Sequence, residues 1–170
     1  MKLGLTLLRL IVGGLFVGHG MQKLTGAFGG NGLEKTGDAF ESLGLRPGKT
    51  HAVAAGVAEA GGGALIATGA ATPLGATLLS ATMATAIRTV HAPKGPWATN
   101  GGYEYNLVLM AIVFALTDVG PGDWSVDGAR GRERWGALWA LAQLGAGLAG
   151  SAGAIAYGKS QPAPEQPAAS

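Results

Sequence analysis

The residues most able to do chemistry in this sequence are ionisable side chains set inside apolar segments. Glu59 stands in "AAGVAEAGGGA", His19 in "LIVGGLFVGHG", Arg88 and His91 in "MATAIRTVHAP", and Glu104 in "GGYEYNLVLM". Imidazole and carboxylate groups exchange protons near neutral pH, and guanidinium donates hydrogen bonds to oxygen. Together they suit a polar ligand whose oxygens take up or release protons. A charge near a bilayer centre costs roughly 2.5–3.5 kcal/mol even on lenient scales, so each such group needs a partner or a purpose.

Composition makes the bilayer the relevant solvent. Charged residues are 13% of the chain, well below the usual quarter, and apolar residues 48%. Mean hydropathy is +0.29. Gly accounts for 31 of 170 residues and falls inside the apolar runs, where small residues let membrane helices pack closely. The net charge of +2 comes from scattered Lys and Arg with no basic stripe, which excludes a nucleic-acid binder. Cys is absent, so disulfides, thiolate nucleophiles and thiolate-ligated metals are excluded.

Five apolar segments must position the ionisable groups: Leu3 to Leu24, His51 to Ala71, Leu74 to His91, Tyr105 to Val119 and Trp135 to Tyr157. About 20 helical residues cross a hydrocarbon core of roughly 30 Å, and all five come near that length. The first lacks an A-x-A-like cleavage site and carries Arg9, so it reads as an uncleaved span. Trp135, Trp139 and Tyr157 flank the fifth as interfacial aromatics. "TPLG" at Thr72–Gly75 marks a tight turn, with Pro73 opening the third helix. Leu33, Gly37, Phe40 and Leu43–Leu45 predict a short amphipathic helix lying in the interface. The fold expected is an all-α membrane protein: a four-helix transmembrane bundle over 1–128, then a basic loop and a fifth transmembrane helix over 129–158. Residues 159–170, Pro- and Ala-rich, read as a disordered tail.

Alternating span direction brings the chemical groups to one membrane face. Glu59 lies about 12 Å below the end shared with the two long loops, His19 is close to that end, and Glu104 opens the fourth span there. Arg88 and His91, three residues apart, share a helix face, and depth favours Arg88 as the partner of Glu59. Arg9 lies roughly 15 Å from His19, either snorkelling to the opposite surface or reaching Glu59 from below. Gly14 and Gly18 form a GxxxG packing signal. Each group has a plainer reading. A buried Glu–Arg pair also fixes helix register, His91 beside a Pro suits an interface, and Glu104 suits the N-terminal dipole of its helix. No ExxH or HxxxH spacing supports a metal site.

Several stretches in order resemble the DoxX family of small prokaryotic membrane proteins: "LLRLIVGGLFVGHGMQKLTGAFGG", "AAGVAEAGGGALIATG", "MATAIRTVHAPKG" and "NGGYEYNLVLMAIVFALTDVGPGDWSVD". The likeness covers about Leu3 to Asp127 and leaves out the fifth apolar segment and the tail. The resemblance implies a four-helix bundle in the cytoplasmic (inner) membrane, crossed several times. It also implies a link to redox chemistry, because related DoxD-type chains are subunits of a thiosulfate:quinone oxidoreductase. Its motifs fall here on His19, Gly20, Lys23, Glu59, His91, Gly102, Tyr103, Glu104, Ser125 and Asp127. With Arg88, the ligand-binding set expected is His19, Lys23, Glu59, Arg88, His91, Tyr103 and Glu104 around a quinone-like molecule. Without Cys, electrons must come from a partner protein. The competing reading is a non-catalytic scaffold whose buried charges lock helices together. A solute or proton pathway across the membrane lacks a broken-helix repeat and two-sided polar residues.

Overall fold

The computed structural model describes residues 3–132 and 134–162. Among them the chain is all-α, with seven helices and no strand: α1 (Leu3–Thr25), α2 (Gly32–Ser42), α3 (Gly48–Thr68), α4 (Thr72–Ala86), α5 (Glu104–Val119), α6 (Val126–Ala129) and α7 (Ala137–Ser160). A π-helical turn, Ile87–His91, prolongs α4. Helices α1 and α7 are long and apolar enough to cross a membrane. The short helix expected between the first two apolar segments is α2. The expected tail begins inside α7, and its residues 163–170 lie outside the described residues.

Glycine decides how closely α1 meets α3. A Cβ on Gly13 would lie 2.5 Å from the Gly63 carbonyl oxygen, and one on Gly20 would lie 2.5 Å from the Gly56 oxygen. The four glycines make an antiparallel seam with a spacing of two turns on each helix. Gly14 and Gly18 have open space instead, so the GxxxG read from sequence does not face the bundle. Two overlapping small-residue patterns stand on one helix, and only the neighbour's position selects between them.

The hairpin from α3 to α4 turns at Gly69–Ala71, with Gly69 in the left-handed conformation at the end of α3 and Pro73 in the first turn of α4. Helix α7 packs against α4 and α5 and runs parallel to α4. Their seam is polar: the Ser80 hydroxyl bonds Gln143 Oε1 at 3.2 Å, and the Thr85 hydroxyl bonds the Ser151 hydroxyl at 3.0 Å. Gly147 lets the helices close, since a Cβ there would meet the Ser80 side chain at 2.7 Å.

Around an apolar core that includes Phe16, Ile66, Leu79, Val113 and Leu116, polarity departs from the usual distribution. Arg9, Glu59, Thr72, Ser80, Asn106, Thr117 and Gln143 are buried, while Leu7, Leu10, Ile11, Val57, Leu107, Val108 and Leu141 are exposed. A soluble protein with this surface would present extended apolar patches on every side. Surrounded by hydrocarbon, the same surface carries no cost, and the polar groups are the ones that need burial.

Candidate functional site

A cavity of about 390 Å³ opens between α1, α3, α4, α5 and α7 at the end that bears the two long loops. Its walls are mainly apolar: Phe16 from α1, Ala54, Ala55 and Ala58 from α3, Leu109 from α5, and Ala154 from α7. The alanines on α3 leave the width of the cavity, because any longer side chain there would occupy it.

Glu59 is 5% exposed and lines this cavity. Its partner is Lys23, whose Nζ donates to Glu59 Oε2 at 2.5 Å. The pairing with Arg88 expected from depth is not formed. Arg88 donates instead to the Leu148 carbonyl at 3.1 Å and to the Ser151 hydroxyl at 3.0 Å, both on α7. The physical cause is the rotation of α4: Arg88 continues the face that Ala81 and Thr85 already turn to α7, one and two helical turns earlier, while His91, at the end of the π turn, faces the cavity. Lys23 sits at the end of α1, one helix closer in space to Glu59 than sequence depth alone could show.

All three histidines of the chain line the cavity, and each ring is fixed by one nitrogen. His91 Nδ1 lies 2.7 Å from the Gly101 carbonyl oxygen, which can only accept, so Nδ1 carries the proton and Nε2 is left free. His51 Nε2 donates to the Arg46 carbonyl at 3.1 Å, leaving its Nδ1. His19 Nδ1 lies 3.1 Å from Gln22 Oε1, and the Gln22 amide nitrogen donates onward to the Phe28 carbonyl at 3.3 Å. His51 was not among the residues expected from sequence, because it marks the start of an apolar segment rather than its interior. Asn106 was missed as well. It is 7% exposed, lines the cavity, and donates to Met83 Sδ at 3.4 Å, while its carbonyl oxygen has no protein partner among the described residues. An amide two residues into an apolar run was the available signal.

Tyr103 and Glu104 serve the loop before α5 and do not line the cavity, whereas Tyr105 does. Glu104 Oε1 accepts from the Ala98 amide at 2.9 Å, and the Glu104 amide bonds the Pro96 carbonyl at 2.8 Å. Gly102 packs against the backbone of Gly95 and Pro96, where a Cβ has no room. The "GGYEY" stretch therefore builds the tight loop whose Gly101 carbonyl holds His91. Of the seven residues expected at the site, His19, Lys23, Glu59 and His91 meet at the cavity; Arg88, Tyr103 and Glu104 brace the elements around it.

At the opposite end of the bundle Arg9 is 1% exposed. It neither snorkels nor reaches Glu59: it donates to the Ala67 carbonyl at 3.2 Å and the Trp124 carbonyl at 2.6 Å. Asp127, also 1% exposed, accepts from the Thr72 amide at 3.1 Å, and its own amide bonds the Gly69 carbonyl at 2.9 Å. "GPGDWSVD" is thus a clasp that ties the chain after α5 to the α3–α4 turn.

A family model for DoxX matches residues 4–92, just over half of the chain. The chain belongs to the DoxX family, a membrane-associated family. It is also 36% identical over 116 residues to the Bacillus subtilis (strain 168) protein named "Putative oxidoreductase CatD", a match covering 68% of this chain and 80% of that one. No solved structure matches. The family match ends at the residue after His91, so it includes His19, Lys23, Glu59 and His91 and excludes Asn106 and the α7 wall.

Proposed function

We infer that this DoxX protein is a multi-pass protein of the prokaryotic cytoplasmic membrane that binds a quinone-like ligand in the cavity, as the membrane subunit of an oxidoreductase. Large apolar side chains exposed on each of the five long helices support spanning by α1, α3, α4 with its π turn, α5 and α7. The observation that carries the ligand reading is an apolar cavity large enough for a ring and the start of an isoprenoid tail, with Lys23–Glu59, His19, His51, His91 and Asn106 at its edge. The orphaned Asn106 carbonyl oxygen fits a quinol hydroxyl, and the Lys23 ammonium fits a quinone carbonyl. A bound quinone supplies two-electron, two-proton chemistry, its electrons coming from a reduced carrier on a partner protein. The residues of this chain hold the ring, exclude water through the alanine and leucine walls, and keep ionisable groups beside the ring oxygens.

The test is purification in mild detergent, organic extraction and mass spectrometry of the retained lipids, with Glu59→Gln beside wild type. A near-stoichiometric quinone in wild type, reduced at least tenfold in Glu59→Gln, is the expected outcome. A folded, quinone-free wild type overturns it. One observation favours the scaffold reading: buried Arg9 and exposed Arg88 are both spent on carbonyls of neighbouring elements, so cations here do serve packing. In that reading Glu59→Gln lowers stability and partner recovery with no ligand to lose.

A further inference from the structure

A second pocket, about 380 Å³, lies beneath the glycine-rich loop between α1 and α2. Gln22, Lys23, Asn31 and Thr36 line it beside Ala39 and Phe40, so it is far more polar than the cavity, with which it shares Phe40. Lys23 belongs to both pockets. A second link crosses between them: His19 lines the cavity, Gln22 lines the polar pocket, and the two are hydrogen-bonded. Thr36 is 8% exposed, yet its hydroxyl makes no hydrogen bond among the described residues. That hydroxyl is not among the side-chain atoms sealed from solvent, so its partner is water in the pocket it lines. The loop is held over this space by the Gln22 bond to the Phe28 carbonyl and by Gly30, whose absent side chain lets the backbone sit against Gln22.

We propose that this pocket is a water-filled proton inlet, and that Lys23, paired with Glu59, is the point at which protons pass from it into the apolar cavity. The alanine and leucine walls offer no proton carrier, so a ligand oxygen inside must be served through the polar edge. Lys23 is the one residue there that joins a buried carboxylate to the second pocket; its side chain is 24% exposed, that of Glu59 6%. The ammonium gives a proton to a ligand oxygen or to Glu59, and the resulting amine takes one from pocket water. Each proton moved inward is matched by one taken up, and no bond other than N–H and O–H changes. His19, on the same helix, and His51, His91 and Tyr105, from the facing elements, are the other titratable side chains at the cavity edge. The use of the proton rests on the quinone reading; the water access does not.

The absence of Cys makes the test clean, since a single introduced thiol reports on one place. Full-length protein in liposomes, with reagent on both sides, is treated with a charged methanethiosulfonate and, separately, with lipid-soluble N-ethylmaleimide. Thr36→Cys is expected to react with the charged reagent at least tenfold faster than Asn106→Cys. Added decylubiquinone is expected to protect Asn106→Cys from the maleimide and to leave Thr36→Cys reactive. Ala39→Phe places a ring on the polar pocket without touching the cavity lining. When bound decylubiquinone is reduced by dithionite in buffered medium, this variant should form quinol about tenfold more slowly, read as the loss of the quinone's ultraviolet absorbance, with quinone retention unchanged. If that variant does not fold, Thr36→Val, close in shape, replaces it. A Thr36→Cys thiol inert to the charged reagent, or a rate of quinol formation unaffected by blocking the pocket, overturns the inlet. Failure of the wild type to hold decylubiquinone overturns the quinone reading, and the thiol reactivities then decide the inlet by themselves.

Discussion

The two ends of the bundle each bury a carboxylate and hold a cation from α1, and they are built to opposite purposes. At one end Arg9 caps two carbonyls and Asp127 clasps the α3–α4 turn, each 1% exposed, and neither lines the cavity or the polar pocket. At the other end Lys23 meets Glu59 directly, but the pair adjoins a cavity on one side and a polar pocket on the other. A guanidinium suits the first role because its fork reaches several acceptors at once and stays charged; an ammonium suits the second because it gives up a proton more readily. What separates a lock from a site is therefore the space next to the charges rather than the charges themselves.

The largest effect expected bears on what both ends share, the helix seam that holds them in place. Gly20→Leu drives a side chain into the α3 backbone and should abolish recovery of monodisperse protein in detergent chromatography, whereas Gly14→Leu, in open space, should be recovered like wild type. Comparable loss in both would show that the seam has been misplaced. Next is the lock: Arg9→Met leaves the Ala67 and Trp124 carbonyls without their donor, and should cost about 3 kcal/mol, read as a fall in Tm, with quinone retention per folded molecule unchanged. At the site end, Glu59→Gln should shift Tm by only a few degrees, because Lys23 can turn to the water of its own pocket, yet quinone should be lost at least tenfold. If Arg9→Met loses ligand, or Glu59→Gln unfolds the protein, the division of labour between the ends is broken. Asn106→Leu removes one neutral hydrogen bond to the ligand and should weaken retention of added decylubiquinone about fivefold in a titration. Arg88→Met is the smallest change expected for the ligand, under twofold in the same titration, since Arg88 is turned to α7.

Much of the bundle was legible because apolar length and turn chemistry are local properties. The α3–α4 hairpin, the short α2 and the start of α5 at Glu104 all follow from runs of apolar residues broken by Gly, Pro and polar loops. The site was legible in part. Glu59 and His19 stood out as costly groups in apolar sequence, and Lys23 and Tyr103 entered only through the family resemblance. Pairings were less legible, because they depend on rotation as well as depth. Arg88 follows Ala81 and Thr85 on the face of α4 that meets α7 and so turns away from Glu59, and nothing in "IRTVHAP" announces which face meets that last helix. His51 and Asn106 escaped notice since each looks unremarkable until its neighbours across the bundle are known.

By itself the sequence determined that this chain buries polar groups among small residues within apolar helices, and that its ionisable residues gather toward one end. Those outcomes follow from helix rise and from the cost of charge in hydrocarbon, which act on each segment separately. Only the tertiary structure decided that Gly13 and Gly20 rather than Gly14 and Gly18 form the seam, that Lys23 takes Glu59, and that a cavity stands beside that pair. Such choices depend on the relative rotation of whole helices, and that rotation is set by the sum of contacts along every seam at once.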